Sequence, residues 1–289
     1  MRAANTLPSF GSSAMDYDPD SVREFLLDKK STLEVVEEFL IDAFERSPHW
    51  TSLDPKVREK IRLASELNIK NAVDKVFRYS ESKIETIFLN SMLFFSFLRG
   101  PLFLLFTPRF SSVSQSLENM RTTDSENLYL QRLFDEQTGS KNPMEFIEAL
   151  ESTPNVPEQE KKRRASLHFM WRMLGFKDKF HISMQSGIEE ITVEGHHIRP
   201  DILIWMPSRP EFKLIVECDG YAFHSDKSSF TRDRVRDRQL KSHDYEVLRF
   251  SGLEIYHNPV ETAMELVAYL DKRFKRLFPE ESDINLTSS

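Results

Sequence analysis

Three acidic residues stand at the ends of two neighbouring apolar segments of the chain. Asp201 opens the segment DILIWM, and Glu217 and Asp219 close the segment FKLIVECDG. If the fold brings these carboxylates together, they repel one another unless a cation occupies the cluster. Carboxylate oxygens suit a hard cation such as Mg²⁺ or Mn²⁺, which can bind a phosphate oxygen and orient a water molecule. These residue types therefore predict metal-assisted hydrolysis.

A β-hairpin would bring the acids together. The two apolar segments flank MPSRPE, whose prolines and serine suit a turn. With the turn centred on Arg209, Leu203 faces Ile215 and Asp201 faces Glu217, and facing residues have Cβ atoms about 4.5–5.5 Å apart. The third acid lies two residues beyond Glu217, so it shares the same face of its strand. A register shift of one residue would send Asp201 to the opposite face.

The same acids also admit a structural interpretation. Asp219 and Gly220 form a dipeptide that is typical of turns, where an acidic side chain is solvated. Asp201 would then form an ion pair with Arg199 or Arg249. The carboxylates alone leave both interpretations open.

The elements that would position the acids differ between the two halves of the chain. From residue 20 to residue 79, apolar residues recur three and four apart, which predicts helices in SVREFLL, STLEVVEEFLIDAFE and VREKIRLASELNIKNAVDKVF. After Gly175 the pattern changes to short β-branched segments bounded by turn residues, which predicts strands in HISMQ, EEITVEG, IRPDILIWM, FKLIVECDG and YEVLRF. His196 and His197 would lie in a turn. Helices over about 228–243 and 259–278 complete an α/β (α+β) fold class.

These patterns predict a domain organisation. Residues 1–79 form an N-terminal tail and helical region, residues 80–278 form the α/β domain, and residues 279–289 form a tail. Within the domain we expect a helix over 80–98, a helical insertion over about 100–175 and an αβ core over about 178–278. The apolar stretch 84–106 is broken by Gly100 and Pro101, so we expect a buried helix and a connector there, not a membrane segment.

Composition limits the classes of function. The chain of 289 residues has a formal net charge of -7, so a polyanion would have to bind at a local basic patch. Cys218 is the single cysteine, which excludes an intrachain disulfide and a cysteine-based metal site. The first residues lack the apolar core of a secretory signal. A cytoplasmic location is therefore expected.

The chain also carries polar motifs in a definite order: Ser82-x-x-Glu85, Gln185, Arg199-Pro200-Asp201, Glu217-x-Asp219-Gly220 with His224 beyond it, Asp233-x-x-Arg236-x-x-x-Leu240 and Tyr245-x-Val247-Leu248-Arg249-Phe250. Their order and spacing, over residues 80–98 and 178–270, resemble the PD-(D/E)XK nuclease superfamily, and within it the Vsr-like branch that includes the DUF559 family. The resemblance implies a restriction-endonuclease-like core with a mixed four-stranded sheet flanked by helices. It also implies phosphodiester hydrolysis with Mg²⁺ or Mn²⁺.

The resemblance implies a role for each acid of the motifs. Asp201 and Glu217 would bind the metal, with Asp219 in or beside its coordination sphere. Glu85 would reach the metal from its helix, directly or through water. Gln185 would orient a water molecule or the acids.

Two positions bear on proton transfer. Asp219 occupies the place where many members of the superfamily carry a catalytic lysine, a residue that the Vsr-like branch also lacks. Lys213 and Arg249 are candidate substitutes. By the same resemblance His224 would carry a proton or touch the scissile phosphate, and a solvated loop histidine is the alternative.

The charged helix after the acids has two faces of interest. Asp233, Arg236 and Leu240 share one face, so Asp233 and Arg236 are expected to brace the site from the helix and Arg249 from its strand. Three basic residues form a neighbouring stripe, here called the basic stripe: Arg234, Arg238 and Lys241. This stripe could follow a phosphate backbone, and a solvated surface with salt bridges is the alternative.

Together these features predict a metal-dependent nuclease, with DNA as the favoured substrate and internal cleavage as the favoured mode. The expected partners are nucleic acid and, through the N-terminal helical region, a protein, with no membrane. The alternative is a catalytically inactive nuclease-fold module that binds nucleic acid or a protein partner. The missing lysine and the acidic net charge favour that alternative.

Overall fold

The computed structural model describes residues 18–45, 55–97, 104–106, 143–159, 175–220 and 227–279, with isolated positions between 118 and 165. His224 lies outside the described residues, and the side chains of residues 227–232 do as well. No helix among the described residues is long and apolar enough to cross a membrane.

The first part of the chain is helical, as its periodicity predicts. Its helices are α1 (Pro19–Leu27), α2 (Lys29–Glu45), α3 (Pro55–Tyr79), α4 (Lys83–Phe97) and α5 (Pro143–Glu151). The Asp18 carboxylate accepts hydrogen bonds from the free backbone N–H groups of Asp20 and Ser21 and so caps α1. α4 is the expected motif helix, and it begins directly after Ser82.

The strands form a mixed sheet and a separate hairpin. They are β1 (Leu104–Phe106), β2 (Phe180–Met184), β3 (Ile188–Val193), β4 (His196–Ile198), β5 (Ile202–Met206), β6 (Arg209–Asp219) and β7 (Glu246–Ser251). The sheet order is β1-β2-β5-β6-β7, and β3 pairs with β4 in a second sheet, which has two strands among the described residues. β2, β5, β6 and β7 form the mixed four-stranded sheet that was expected, and β1 extends it by one short strand parallel to β2.

Two local predictions are wrong in this region. The segment IRPDILIWM was expected to be one strand, but it is divided between β4 and β5. His196 and His197 lie in β4, not in a turn, because the reversal is made by Glu194 and Gly195, whose φ angles of 53° and 82° are both positive.

The described part of the chain also contains the helices α6 (Lys227–Ser242), α7 (Gly252–His257) and α8 (Pro259–Leu277). α6 connects the parallel strands β6 and β7. Serine and glutamate form a reciprocal capping box at the start of α7, where Ser251 accepts from Glu254 N and the Glu254 carboxylate accepts from Ser251 N.

The sheet is covered on both faces. Ile202 and Ile204 point to one core, which is shared with α1, α2, α3, α4 and α8. Leu203 and Trp205 point to a second core, which is shared with the β3–β4 hairpin, Leu240 of α6 and Tyr245. Neighbouring residues of β5 and β6 thus alternate between the two cores, with even-numbered residues on one face and odd-numbered residues on the other.

The boundary at residue 79 between the N-terminal region and the α/β domain stays a prediction.

Candidate functional site

The hairpin of β5 and β6 has the register that the sequence predicts. Leu203 pairs with Ile215, and Trp205 pairs with Lys213. The turn itself was misplaced, since it lies at residues 207–208, and Met206 pairs directly with Arg209. The register shifts between these two pairs, so extra residues on β6 restore the predicted alignment.

This register brings the acids to one end of the hairpin. Asp201 directly precedes β5, and its Oδ2 accepts a hydrogen bond of 2.8 Å from the backbone N–H of Cys218. Glu217 and Asp219 flank Cys218 and point to the opposite face from it, toward α6. Asp201 lies close enough to Glu217 for its charge to raise the pKa of Glu217.

Gln185 joins a fourth carboxylate to this group. Its Nε2 donates to Glu85 Oε2 at 3.2 Å and to Asp201 Oδ1 at 3.3 Å. The backbone of Gln185 is left-handed, with φ at 50°, and its N–H donates to the Asp201 carbonyl at 3.0 Å. A residue other than glycine adopts this conformation only where its surroundings enforce it. The amide is thus held between α4 and the hairpin.

Glu85 also has a structural function at the start of α4. Its Oε1 accepts from Ser82 Oγ at 3.0 Å, and its Oε2 accepts from Glu81 N at 2.9 Å. The Ser82 hydroxyl in turn accepts from Glu85 N at 3.1 Å. The exchange resembles a capping box, so the helix start and the position of the carboxylate depend on each other.

Two arginines contact the acids from the α6 side. Arg236 donates to Glu217 Oε1. Arg249 donates to Asp219 Oδ1 at 3.2 Å and to Asp237 Oδ1 at 2.7 Å. The prediction that these arginines stand at the site is therefore consistent with their contacts.

The prediction for Asp233 differs from its position in the structure. Asp233 is exposed, and the helix carboxylate that contacts Arg249 is Asp237. The sequence pattern does not single out Asp237, because acidic and basic residues alternate along this helix. Its place one turn after Asp233 was the available signal.

Burial leaves the carboxylates with too little compensating charge. Glu217 is only 6% exposed, and burial raises its pKa to about 7, although the Arg236 charge opposes this rise. Burial also raises the pKa of Asp201 and the pKa of Glu85. The pKa of the Cys218 thiol is raised well above its ordinary value by burial and by the surrounding acids. The site therefore favours an added positive charge or protonation of an acid.

The donor set has the chemistry of a hard-cation site, but its side chains are not arranged as a ready-made one. Carboxylate oxygens predominate, as Mg²⁺ or Mn²⁺ requires. Within the described part of the chain, however, no three His, Cys, Asp or Glu side chains form a group that could hold a metal ion. Arg236 and Arg249 stand instead against Glu217 and Asp219.

Lys213 and the basic stripe are the other predicted residues that the structure describes. Lys213 Nζ donates to the His243 carbonyl at 3.0 Å and lies over the Tyr245 ring, so Lys213 does not take the place of the missing lysine. The three residues of the basic stripe are exposed on α6.

Comparisons with known proteins give one result for this region. Residues 184–270 match the family model REase_MTES_1575, a restriction-endonuclease-like family. The matched range contains Gln185, Asp201, Glu217, Asp219 and Arg236 but not Glu85. Searches of curated proteins and of solved structures return no match. The family match supports a nuclease-type domain in this part of the chain, without the finer Vsr-like or DUF559 assignment.

Proposed function

We propose that this protein is a metal-dependent nuclease that hydrolyses phosphodiester bonds, with DNA as its substrate and internal cleavage as its mode. One observation carries the proposal. Asp201 and Glu217 lie at the same end of a hairpin, Gln185 links Glu85 to Asp201, and the hairpin lies inside the range that matches a restriction-endonuclease-like family.

Each carboxylate has a place in this proposal. Asp201, Glu217 and Asp219 would hold the cation, and Glu85 would act on it directly or through water. A bound Mg²⁺ or Mn²⁺ would supply the charge that polarises a phosphate group and lowers the pKa of a water molecule. Gln185 would orient Asp201 and Glu85, and Arg249, which also pairs with Asp237, would keep Asp219 in position. By the resemblance given above, His224 would carry a proton.

Cleavage of supercoiled plasmid in Mg²⁺ or Mn²⁺ tests the proposal. Asp201→Asn and Glu217→Gln keep the shape of each side chain but remove its charge, and each should slow nicking at least about a hundredfold. Glu189→Gln is the matched control, since Glu189 is exposed on β3 and its loss changes the net charge equally. Metal-dependent nicking that is unchanged in Asp201→Asn and Glu217→Gln would refute the site.

A second candidate function follows from the ion pairs. Arg236 and Arg249 already neutralise part of the acidic cluster, which suits a nuclease-fold module that binds nucleic acid or a protein partner without turnover. Binding of a labelled duplex, followed by fluorescence anisotropy, separates the two functions. The binding module predicts that the duplex binds equally to wild type and to Asp201→Asn, with no product in any divalent cation.

A further inference from the structure

The two arginines at the acids are held differently. Arg249 divides its guanidinium between Asp219 and Asp237, so a broken contact to one carboxylate leaves the other in place. Among the described residues, Arg236 forms its ion pair with Glu217 alone. Its buried Nε has no hydrogen-bond partner there. A buried donor without a partner costs free energy, so Arg236 is the less firmly held of the two.

Arg236 also stands at the boundary between the acids and the outer surface of α6. Its side chain is 22% exposed, whereas Glu217 is almost fully enclosed. A rotation about the side-chain bonds of Arg236 would therefore carry its charge from the carboxylate toward solvent, without any movement of the helix.

A divalent cation and Arg236 would compete for the same oxygen. Arg236 occupies Glu217 Oε1, and the proposed cation site needs Glu217 as a principal ligand. Ligands that exclude each other weaken each other's binding by the same factor. Such competition requires an arginine that can move away from its carboxylate. Arg236 has one ion pair, so it can leave more easily than Arg249, which pairs with two carboxylates.

We infer that Arg236 is a latch on Glu217. In the cation-free protein it pairs with Glu217, and on cation binding it leaves Glu217 and contacts a phosphate of the nucleic acid. This inference rests on the proposed function. It makes Arg236 a positioning residue that links cation binding to nucleic-acid binding, because its guanidinium is released toward the substrate only when the carboxylate has another partner.

Calorimetric titration of the full chain with Mg²⁺, without nucleic acid, tests the first half. Arg236→Gln should bind Mg²⁺ at least about fivefold more tightly than wild type, because the competitor is gone. Arg238→Gln is the matched control, since it removes one exposed charge from the same helix and should change the affinity less than about twofold. Loss of Arg236 removes a charge that lowers the pKa of Glu217, so the titrations are repeated over a series of pH values and the affinities are compared where they no longer change with pH.

The outcomes separate the latch from the proposed function. Equal or weaker Mg²⁺ binding by Arg236→Gln, with binding by wild type intact, overturns the latch alone. No Mg²⁺ binding by any protein overturns the proposed function and the latch with it. If Arg236→Gln does not fold, Arg236→Met serves in its place, because methionine removes the competing charge but keeps an unbranched side chain at this partly buried position, and it should also bind Mg²⁺ more tightly than wild type.

Binding of a labelled DNA duplex tests the second half. Ca²⁺ replaces Mg²⁺ in this measurement, since both cations prefer oxygen ligands. Ca²⁺ should strengthen the binding of the duplex to wild type by at least about fivefold more than to Arg236→Gln, which has no guanidinium to release. An equal gain in both proteins overturns the contact between Arg236 and the phosphate.

Discussion

At the scale of single residues, the site concentrates negative charge where water is scarce. Glu217 and Glu85 are buried, and Asp201 is partly so. For all three, burial is the largest cause of the raised pKa, ahead of the neighbouring charges. The protein therefore gives up stability to keep these acids together, which is an arrangement typical of functional sites.

The pH dependence of folding should show this cost at Glu217. Its pKa is about 7 in the folded protein against an ordinary value of 4.5, so between these values the folded state binds more protons than the unfolded state. The contribution of Glu217 to the free energy of unfolding is therefore fully present below pH 4.5 and is lost as the pH rises through about 7. Glu217→Gln should abolish a fall of about 1–3 kcal/mol across this window, measured by urea unfolding in EDTA.

The control for this prediction is Glu265→Gln, an exposed position on α8. It should keep the pH dependence of wild type. An unchanged slope in Glu217→Gln would contradict the prediction.

Gln185 should matter as a hydrogen-bond donor between two acids. Gln185→Met keeps a similar volume but removes the amide that reaches Glu85 and Asp201. We expect a loss of about 1–3 kcal/mol in the free energy of unfolding, because both acids stay buried without this donor. Gln239→Met, on the exposed side of α6, is the matched control and should lose much less in the same urea titration. Equal losses of free energy of unfolding in the two variants would contradict a stabilising function of the Gln185 amide.

At the scale of elements, three structures meet at the acids: the start of α4, the end of β2 and the end of the β5–β6 hairpin. Ser82 and Glu85 fix the first turn of α4, and the left-handed Gln185 ends β2. Each carboxylate is therefore positioned by a terminus of an element, where a backbone change alters one contact without unfolding the core.

Loss of the α4 cap should disturb Glu85 more than it disturbs the fold. Ser82→Ala removes the acceptor for Glu85 N and a donor to the Glu85 carboxylate. The free energy of unfolding should fall by about 1 kcal/mol. Plasmid nicking should slow about tenfold or more, as is usual when a group that orients a ligand is lost.

The matched control removes a cap of another helix. Asp18→Ala deletes the carboxylate that caps α1, and it should cost a similar free energy of unfolding with no change in nicking. A nicking rate that falls equally in both variants would mean that stability alone, and not the position of Glu85, explains the effect.

The predicted hairpin register, obtained by centring the turn on Arg209, is correct because the irregularity on β6 offsets the misplaced turn. The irregularity itself could not be predicted, since β5 and the middle of β6 are buried on both faces and their continuous apolar residues give no sign of it. β1 was missed because three residues carry no measurable periodicity and their partner, β2, lies far along the chain. The contact of Arg236 with Glu217 could not be predicted either. The spacing of residues on a helix predicts which face packs against the protein, but not which atom each side chain contacts.

At the scale of the whole molecule, the net charge is unfavourable for binding the proposed substrate. The net charge of -7 repels a polyanion at long range, so attraction must be local. α6 carries the basic stripe and packs on one face of the sheet through Leu240, next to the acids. α8 is also rich in basic residues but packs on the other face through Leu266 and Leu270. The two helices therefore offer a test of which face meets the nucleic acid.

Replacement of the basic stripe by glutamine at all three positions should weaken DNA binding and make it less dependent on salt. Each phosphate contact contributes about 0.9 to the slope of log affinity against log salt concentration, so the slope should become flatter by about 2–3 if all three cations contact phosphates.

The control replaces an equal number of cations on α8: Lys272, Lys275 and Arg276. Both variants have the same net charge, so a long-range effect lowers their affinities equally. Only a contact with the α6 face changes the slope in the stripe variant alone, and fluorescence anisotropy across a salt series measures it. Equal slopes in the two variants would place the nucleic acid elsewhere on the molecule.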